Sequence, residues 1–593
     1  MTVHDPHMSP RKPALRKAST AWMEALASTA TISDAPHRVL ADVIADLAAQ
    51  NGDAAALLSD LESFTFSALA ARMHQYEHWA LTQNLLPGDT VALLMGNRPD
   101  YVACWMGLSR AGLVVALINP SQRGAALQHS LTIATAKAMI VEDTLAEALD
   151  GIALPPDLKI WVHGEPRGGL ARLQDALDDL PLTAPAHRRR VSITDRALLI
   201  YTSGTTGLPK AAIVSHRRVL NWAFWFKGLM GYTPQDRLYN CLPLCHSVGG
   251  VVAVAATLVG GGSTVIVPKF SASRFWSDIR RWDCTAFQYI GELCRYLLAQ
   301  APAADDTQHG LRVAVGNGLR ADIWQAFQQR FCLPQIVEFY ASTEGTFSLY
   351  NVEGTVGSIG RIPPFLRHRF KIVLVKQDAE TGEPLRGADG LCVAAGVNEP
   401  GEALGHIAED AIFEGYTDAQ STHRKVLANV LRPGDRWFRT GDLMRMDAAG
   451  NYFFMDRLGD TFRWKGENVS TLEVANHLSA APGVSDAVVY GVDVPSTDGK
   501  AGMALLTVTP AFDLTHFAAH ARHHLPPYAV PVFLRLGAAA AVTDTFKHRK
   551  ADLLREGYDP AAVNDPLFVL EGGAYQPLDS GRLARLMSGA IKL

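Results

Sequence analysis

Between Tyr201 and Lys210 the chain reads Tyr-Thr-Ser-Gly-Thr-Thr-Gly-Leu-Pro-Lys, a set of residue types suited to holding phosphate. Gly204 and Gly207 let the backbone turn tightly and expose successive N–H groups. Thr202, Ser203, Thr205 and Thr206 add hydroxyl donors, and Lys210 adds a positive charge on a flexible stem. Such a concavity suits a triphosphate. The Gly-x-x-Gly-x-x-Lys spacing differs from the Gly-x-x-x-x-Gly-Lys-Ser/Thr of ordinary P-loop hydrolases, which makes that class a poor fit. Taken by itself, a Gly/Thr string of this kind also reads as a polar surface turn.

The loop needs a strand to launch it, and Ala197 to Ile200 is an apolar run that reads as a buried one. The same rhythm begins at Thr90, with a strand (Val91 to Leu94), a loop carrying Gly96 and Asn97, a helix from near Asp100, and a second strand (Val114 to Ile118). It recurs at Lys137 to Val141, Thr264 to Val267, Thr285 to Tyr289 and Leu311 to Val315, which predicts a layered α/β architecture with binding loops at strand ends. From about residue 355, Gly/Pro-rich turns separate short strands such as Phe370 to Val375 and Tyr452 to Met455, predicting a smaller β-rich subdomain. Beyond Asp460 the pattern restarts as a compact α+β domain, with helices at Ser470 to Leu478 and Leu514 to His524 and strands at Ala487 to Val492 and Val532 to Leu536. The expected organisation is an extension over 1–40, a large domain over 41–456, a hinge at 457–460 and a small mobile domain over 461–593.

The whole chain bounds the function further. At 593 residues it exceeds the roughly 250–300 residues at which single cores stop growing, so several substructures are expected. Hydrophobic content of 48% with 19% charged residues is ordinary globular composition. A formal charge of −4 leaves no electrostatic footprint for nucleic acid. The seven cysteines (Cys104, Cys241, Cys245, Cys284, Cys294, Cys332 and Cys392) are scattered through apolar segments without pairing, as reduced core residues of a cytoplasmic protein would be. The most membrane-like stretch, Gly249 to Pro268, is broken by Gly260, Gly261 and Gly262 into pieces too short to span a bilayer, and reads as a buried helix followed by a strand. Leu15, Trp22, Met23 and Leu26 form an apolar stripe beside Arg11, Lys12, Arg16 and Lys17. That stripe suits either a membrane-surface helix or packing against the domain.

Five strings together resemble the acyl-adenylate-forming enzymes, and within them the branch of fatty acid transport proteins and very-long-chain acyl-CoA synthetases. They are the stretch from Tyr201 to Val214, Lys269 to Trp276, Gln288 to Leu298, Gly316 to Arg320 and, most specific to that branch, Gly459 to Ser470. The resemblance runs from about residue 40 over nearly the entire chain. It implies ATP, Mg²⁺ and coenzyme A as cofactors and a set of site residues. Tyr340-Ala341-Ser342-Thr343-Glu344 looks like the adenine and magnesium motif, with Tyr340 stacking on adenine and Glu344 holding the metal; relatives usually read Tyr-Gly-Ala-Thr-Glu, a departure that spares both roles. Asp442 in Thr440-Gly441-Asp442 matches the ribose carboxylate, and Arg457 a ribose and phosphate contact. His246 matches the residue beside the substrate carboxylate. Gly316, Asn317 and Gly318 match the loop between adenine and acyl pockets. Lys547 aligns with the catalytic lysine of the mobile domain, although the usual Thr-Gly-Lys context is missing and Lys550 competes for the assignment. At the hinge, relatives often carry Asp or Lys two residues after the arginine, where this chain has Gly459 followed by Asp460.

The function so implied is a ligase that joins a long-chain or very-long-chain fatty acid to coenzyme A through an acyl-AMP. Rivals are a ligase for a sterol or bile-acid-type carboxylate, transfer to a carrier protein, and a membrane-associated fatty acid uptake protein. No Gly-x-Ser-x-Gly elbow occurs, so serine-hydrolase chemistry has no support. The chain shows no membrane-spanning segment of the sort its eukaryotic relatives carry near the N-terminus, which favours the enzyme over the transporter. Peripheral membrane contact and self-association stay open.

Overall fold

The computed structural model describes residues 16–202, 208–378, 382–408, 412–458, 460–465, 467–494, 499–540, 550–588 and 590–591. The chain divides into two compact units, one drawn from residues 1–319, 325–356 and 408–425 and the other from 320–324, 357–407 and 426–593.

Two sheets build the first unit. In one, Thr90–Leu94 lies between Val114–Leu117 and Ala138–Glu142, all parallel, and Val114–Leu117 pairs in parallel with Arg196–Thr202. Lys210–Ser215 returns antiparallel to Arg196–Thr202, so the phosphate-loop candidate spans the turn of a hairpin. In the other, Arg237–Asn240, Ala286–Ile290, Val313–Asn317 and Ile336–Ala341 run parallel in that order, with Ser348–Asn351 antiparallel at the end. These strands are buried and nearly continuous in apolar residues, as strands covered on both faces must be. Sheets of this kind bind ligands beyond the carboxyl ends of their parallel strands. Thr202, Asn317 and Tyr340 sit at those ends.

Helix His216–Met230 shows how local sequence sets a scaffold element. Ser215 accepts a hydrogen bond from Arg218 N–H as its N-cap, a left-handed Gly231 stops it, and Val219, Leu220, Ala223, Phe226 and Leu229 form its buried face. Against this helix packs Ala18–Thr29. Trp22 is 1% exposed, edge-on to Trp225 at 5.6 Å and to Tyr350 at 5.5 Å. Of the N-terminal stripe, Trp22 follows the packing reading, Leu26 is half-buried and Met23 is 54% exposed, with Leu15 outside the described residues. Gly249 to Pro268 becomes a π-helical turn (Ser247–Ala253), a short helix (Val254–Val259) and a buried strand (Ser263–Ile266). No helix among the described residues is long and apolar enough to cross a membrane. All seven cysteines are free, and six are buried.

The second unit is mostly antiparallel. Ile372–Val375, Gly401–His406, Arg436–Met446 and Asn451–Arg457 pair in sequence order, giving the β-rich region expected from residue 355. A separate five-stranded sheet runs Val484–Asp493, Lys500–Val508, Phe533–Leu536, Leu567–Glu571 and Ala574–Pro577. Helices Thr471–Ser479 and Leu514–His524 contribute Val474, Leu478, Phe517 and Ala521 to a core cluster whose members all lie between Phe462 and Ile591. Strand Lys500–Val508, rich in Ala, Gly and Leu rather than β-branched residues, is one the sequence reading passed over.

Trp22→Ala should remove the largest buried side chain on helix Ala18–Thr29 and leave a cavity against Trp225 and Tyr350. We expect a loss of about 3–5 kcal/mol in denaturant unfolding of the first unit.

Candidate nucleotide and acid-activation site

One arginine ties together several segments of the first part of the site. Arg218, on the first turn of helix His216–Met230, donates to the carbonyls of Thr343 (3.1 Å), Gly345 (2.8 Å) and Ile412 (2.8 Å) and lies 3.3 Å from the Glu414 carboxylate. Glu414 also accepts from Ser215 N–H at 2.9 Å and from the Ser215 hydroxyl. The segment around residue 415 is further fastened to strand Lys210–Ser215 by Ile213 N–H to Gly415 O and Thr417 N–H to Ala211 O, both 3.0 Å. The turn carrying Thr343 and Glu344 and the segment carrying Tyr416 are thereby brought against the strand that bears Lys210.

The result is a short line of polar groups. Tyr416, 6% exposed, donates its hydroxyl to Glu344 Oε1 at 2.5 Å. Burial first, then the Glu344 charge, drives the Tyr416 pKa far upward, so this phenol stays a donor; Thr202 hydrogen-bonds to it as well. Lys210 Nζ stands 5.8 Å from the centre of the Tyr416 ring. Thr343 Oγ1 is 3.1 Å from Ser247 Oγ at the start of the π-helical turn, and His246 occupies the cap position of that turn. Thr202, Lys210, Thr343 and Glu344 are thus brought together, with His246 next to Ser247 in sequence. Ser203, Gly204, Thr205, Thr206 and Gly207 lie outside the described residues.

Tyr340 presents its ring to Phe347, centroids 5.8 Å apart. Beside it, Gly316, Asn317 and Gly318 close strand Val313–Asn317. Gly318 has φ +85°, and a Cβ on Gly316 would stand 2.2 Å from the Tyr289 carbonyl, so both positions require glycine. Beneath this loop lies Glu338, 2% exposed, which accepts from Gly318 N–H, from Leu319 N–H at 3.3 Å and from the Tyr289 hydroxyl at 2.6 Å. Burial outweighs those donors and pushes the Glu338 pKa up to about 8.

In the second unit, Asp442 and Arg457 face each other directly across the hairpin of Arg436–Met446 and Asn451–Arg457. Arg457 Nε is 3.6 Å from Asp442 Oδ1, and the arginine is about half exposed, with donors left for a ligand. Neighbouring Gly441 and Arg439 are anchored on Glu402, whose side chain is fully buried. Lys550 is held by Thr471 Oγ1 at 2.8 Å and Asp460 at 3.5 Å. Lys547 lies outside the described residues.

A divalent cation fits the donor set of the first unit. Glu344 is a hard carboxylate with hydroxyls of Thr343, Ser247 and Tyr416 nearby, and Mg²⁺ is usually bound by one or two carboxylates completed by substrate phosphates and water. No group of three or more His, Cys, Asp or Glu side chains is poised for a metal among the described residues. A cation there would draw most of its oxygens from the nucleotide.

Tyr416, Arg218, Glu414 and Glu338 were not singled out from the sequence. The Gly415-Tyr416 pair before the Asp418 helix cap was the available signal for Tyr416; the other three show themselves only through contacts distant in sequence.

The class is shown by comparison: residues 44–417 match the AMP-binding enzyme family, to which this chain belongs. The mouse long-chain fatty acid transport protein 1 is 42% identical over 520 residues, covering 86% of this chain and 80% of that protein. The mouse long-chain fatty acid transport protein 3 is 40% identical over 526 residues, covering 86% and 78%. Among solved structures, an anthranilate CoA ligase in complex with anthranoyl-AMP superposes with a TM-score of 0.76 at 23% identity, over 90% of this chain and 98% of its own. A Mycobacterium tuberculosis fatty acyl CoA synthetase gives 0.61 at 20%, over 87% and 98%. At these identities the solved structures establish the shared fold.

Two expectations follow. Tyr416→Phe removes a hydrogen bond to a buried charged acceptor, so kcat/KM for Mg-ATP should fall about tenfold, with the folded state intact by circular dichroism. For Glu338, the folded state binds a proton that the unfolded chain releases above its ordinary 4.5, so this group's stabilisation is present below 4.5 and is lost as pH rises through about 8. Across that window the wild type should lose stability relative to Glu338→Gln by up to about 1.4 kcal/mol per pH unit, read from paired denaturation curves.

Proposed function

We propose that this protein is an ATP-dependent fatty acyl-CoA ligase acting on long-chain or very-long-chain acids through an acyl-AMP. The observation that carries the reading is the line Lys210, Tyr416, Glu344, with Thr202 at its start, built where a polyphosphate would leave the turn between strands Arg196–Thr202 and Lys210–Ser215. The names of the curated relatives supply the substrate class.

In this reading the carboxylate oxygen of the acid attacks the α-phosphorus of ATP and diphosphate leaves. The sulfur of coenzyme A then attacks the acyl carbon, AMP departs with the electron pair, and the thiol proton passes to solvent. Lys210 and the N–H groups of its loop neutralise phosphate charge, while Glu344 holds Mg²⁺ against it. Tyr340 stacks on adenine, its second face set by Phe347. Asp442 accepts from the ribose hydroxyls and Arg457 donates to ribose or phosphate. His246 borders the substrate carboxylate, and Gly316, Asn317 and Gly318 admit the ligand to close backbone contact. Lys547 stabilises the charge that builds at the α-phosphate in the first step, since pre-placed cations act where charge develops.

Residues 461–593 form the domain that carries Lys547, turning about 457–460 between the two steps. Their self-contained core supports this division. So does the way the segment is attached: Ser470 Oγ donates to Met455 O at 3.0 Å and Asp456 receives Thr471 N–H, a few polar bonds that a rotation can exchange.

The test is to incubate purified protein with Mg-ATP, coenzyme A and acids from medium to very long chain, and to quantify AMP, acyl-AMP and acyl-CoA. Acyl-CoA should form, and Lys547→Ala and Glu344→Ala should each lower kcat by about a hundredfold or more. Adenylate without thioester would assign another acceptor. Absence of AMP with every fatty acid would overturn the substrate class in favour of a sterol-type carboxylate or an uptake role.

A further inference from the structure

The second unit carries a basic and aromatic face that the catalytic reading leaves unused. Its sequence is Pro363-Pro364-Phe365-Leu366-Arg367-His368-Arg369-Phe370-Lys371, a short 3₁₀ turn (Pro364–Leu366) followed by the lead-in to strand Ile372–Val375. Phe365 is 50% exposed, although a phenyl ring ordinarily seeks the core. Arg367, His368, Arg369 and Lys371 are all exposed. Next to this segment an open cavity of about 400 Å³ has a buried floor of Trp437, Tyr452 and Ile362 and a rim that includes Arg367, Lys371 and Arg432. On the same rim Leu431 is 42% exposed.

Cations outnumber acids on this face, where Asp435 is the one carboxylate among the residues lining the cavity. Arg367, Lys371 and Arg432 form no ion pair there, and Arg369 lies over the Phe370 ring, 5.9 Å from its centre. The carboxylates of this region take their hydrogen bonds from neutral donors, which leaves their charge in place but holds them out of ion pairs with these cations. Asp435 accepts from the N–H groups of Val430 (2.7 Å), Leu431 (3.0 Å) and Arg432 (3.1 Å) and from Trp437 Nε1 (2.8 Å). Asp447 accepts from Asn451 N–H at 2.8 Å and Asn451 Nδ2 at 3.0 Å. Four cations against the single carboxylate of the cavity lining, with two exposed apolar side chains in the same segments, differ from an ordinary soluble surface, where charges of both signs are mixed evenly and large apolar groups are isolated.

We infer that this face docks on an anionic lipid bilayer, with headgroup phosphates received at the Arg367, Lys371 and Arg432 rim and Phe365 and Leu431 entering the boundary of the acyl chains. Charge complementarity selects this occupant. A bilayer rich in anionic lipid offers many phosphates in one plane beside an apolar layer, and the face offers cations and apolar anchors side by side. A small soluble anion would satisfy the rim and leave Phe365 in water. The functional sense of this contact rests on the fatty acid reading, because such acids partition into bilayers; the contact itself does not.

The experiment is cosedimentation of the full chain with vesicles of phosphatidylcholine alone and of equimolar phosphatidylcholine and phosphatidylglycerol, over a range of salt. The wild type should bind the anionic vesicles and not the neutral ones, and release as salt rises. R367E/K371E should bind at least about twenty-fivefold more weakly, at about fivefold per cation. F365S should bind about tenfold more weakly while keeping the salt dependence. Both variants should retain wild-type turnover of a soluble medium-chain acid and wild-type thermal midpoints. Equal binding to neutral vesicles, wild-type binding by R367E/K371E, or complete displacement by inorganic phosphate at constant ionic strength would each overturn the proposal, the last by assigning a small-anion site. Vesicle binding by a protein that forms no acyl-CoA would leave this inference standing and sink the ligase reading, so the two fail separately.

Discussion

A carboxylate meant to meet a metal ion and a polyphosphate has to be shielded from bulk water without being neutralised by a permanent cation. Glu344 satisfies both demands. It is 7% exposed, and its hydrogen-bond partner is the neutral Tyr416 hydroxyl. The guanidinium that packs against this turn, Arg218, spends its donors on the Thr343, Gly345 and Ile412 carbonyls and on Glu414. The cation therefore shapes the turn without forming an ion pair with Glu344. Other buried acids of this chain are treated differently: Asp100 meets Arg72, Glu77 meets Arg188, Asp236 meets Arg312 and Glu402 meets Arg439. Those pairs are fixed, and fixed pairs satisfy the desolvation cost without offering chemistry. Glu344 and Glu338 are held by hydroxyl and N–H donors instead, which is the arrangement expected of acids that act on a ligand or on the loop that holds it.

The placement of these groups follows from parallel β-structure. A crossover connection brings each strand back in the same direction, so the carboxyl ends of Arg237–Asn240, Ala286–Ile290, Val313–Asn317 and Ile336–Ala341 share one edge. That edge collects His246, Gly318 and Tyr340 although they are far apart in sequence. Asp442 and Arg457 reach the same kind of proximity by the antiparallel route, where a hairpin makes two positions fifteen residues apart direct neighbours.

Much of this was legible before any coordinates. Strong apolar runs ended by Gly or polar loops marked the parallel strands to within about two residues, because a strand buried on both faces has to be apolar throughout. The Tyr201 to Lys210 string and the Tyr340 to Glu344 turn were legible because their chemistry is local. Tyr416 was not, because its meaning lies in a contact with Glu344 formed across many intervening residues. The π-helical turn at Ser247–Ala253 was hidden for another reason: two glycines and four valine or alanine residues carry no signal that separates it from an ordinary helix, and only close packing of Gly249 and Gly250 against the carbonyls of Pro243 and Leu244 reveals the widened turn. Strand Lys500–Val508 was masked by low β-propensity and is held by neighbours on both edges.

Net charge is the descriptor on which sequence and structure diverge most. A total of −4 averages over groups whose surroundings differ completely. Inside the molecule many arginines are matched with acids, singly or in small networks, and such pairs contribute little that a partner would sense. The cations between Arg367 and Lys371 form no ion pair among the described residues, so their field extends into solvent and decays over about a Debye length, roughly 8–10 Å at physiological salt. A chain that is acidic on balance can therefore present a positive face to a surface. The sign of the sum, sufficient to argue against a nucleic-acid footprint, carries no information about that face; its information is in which side chains the fold leaves exposed and unpaired.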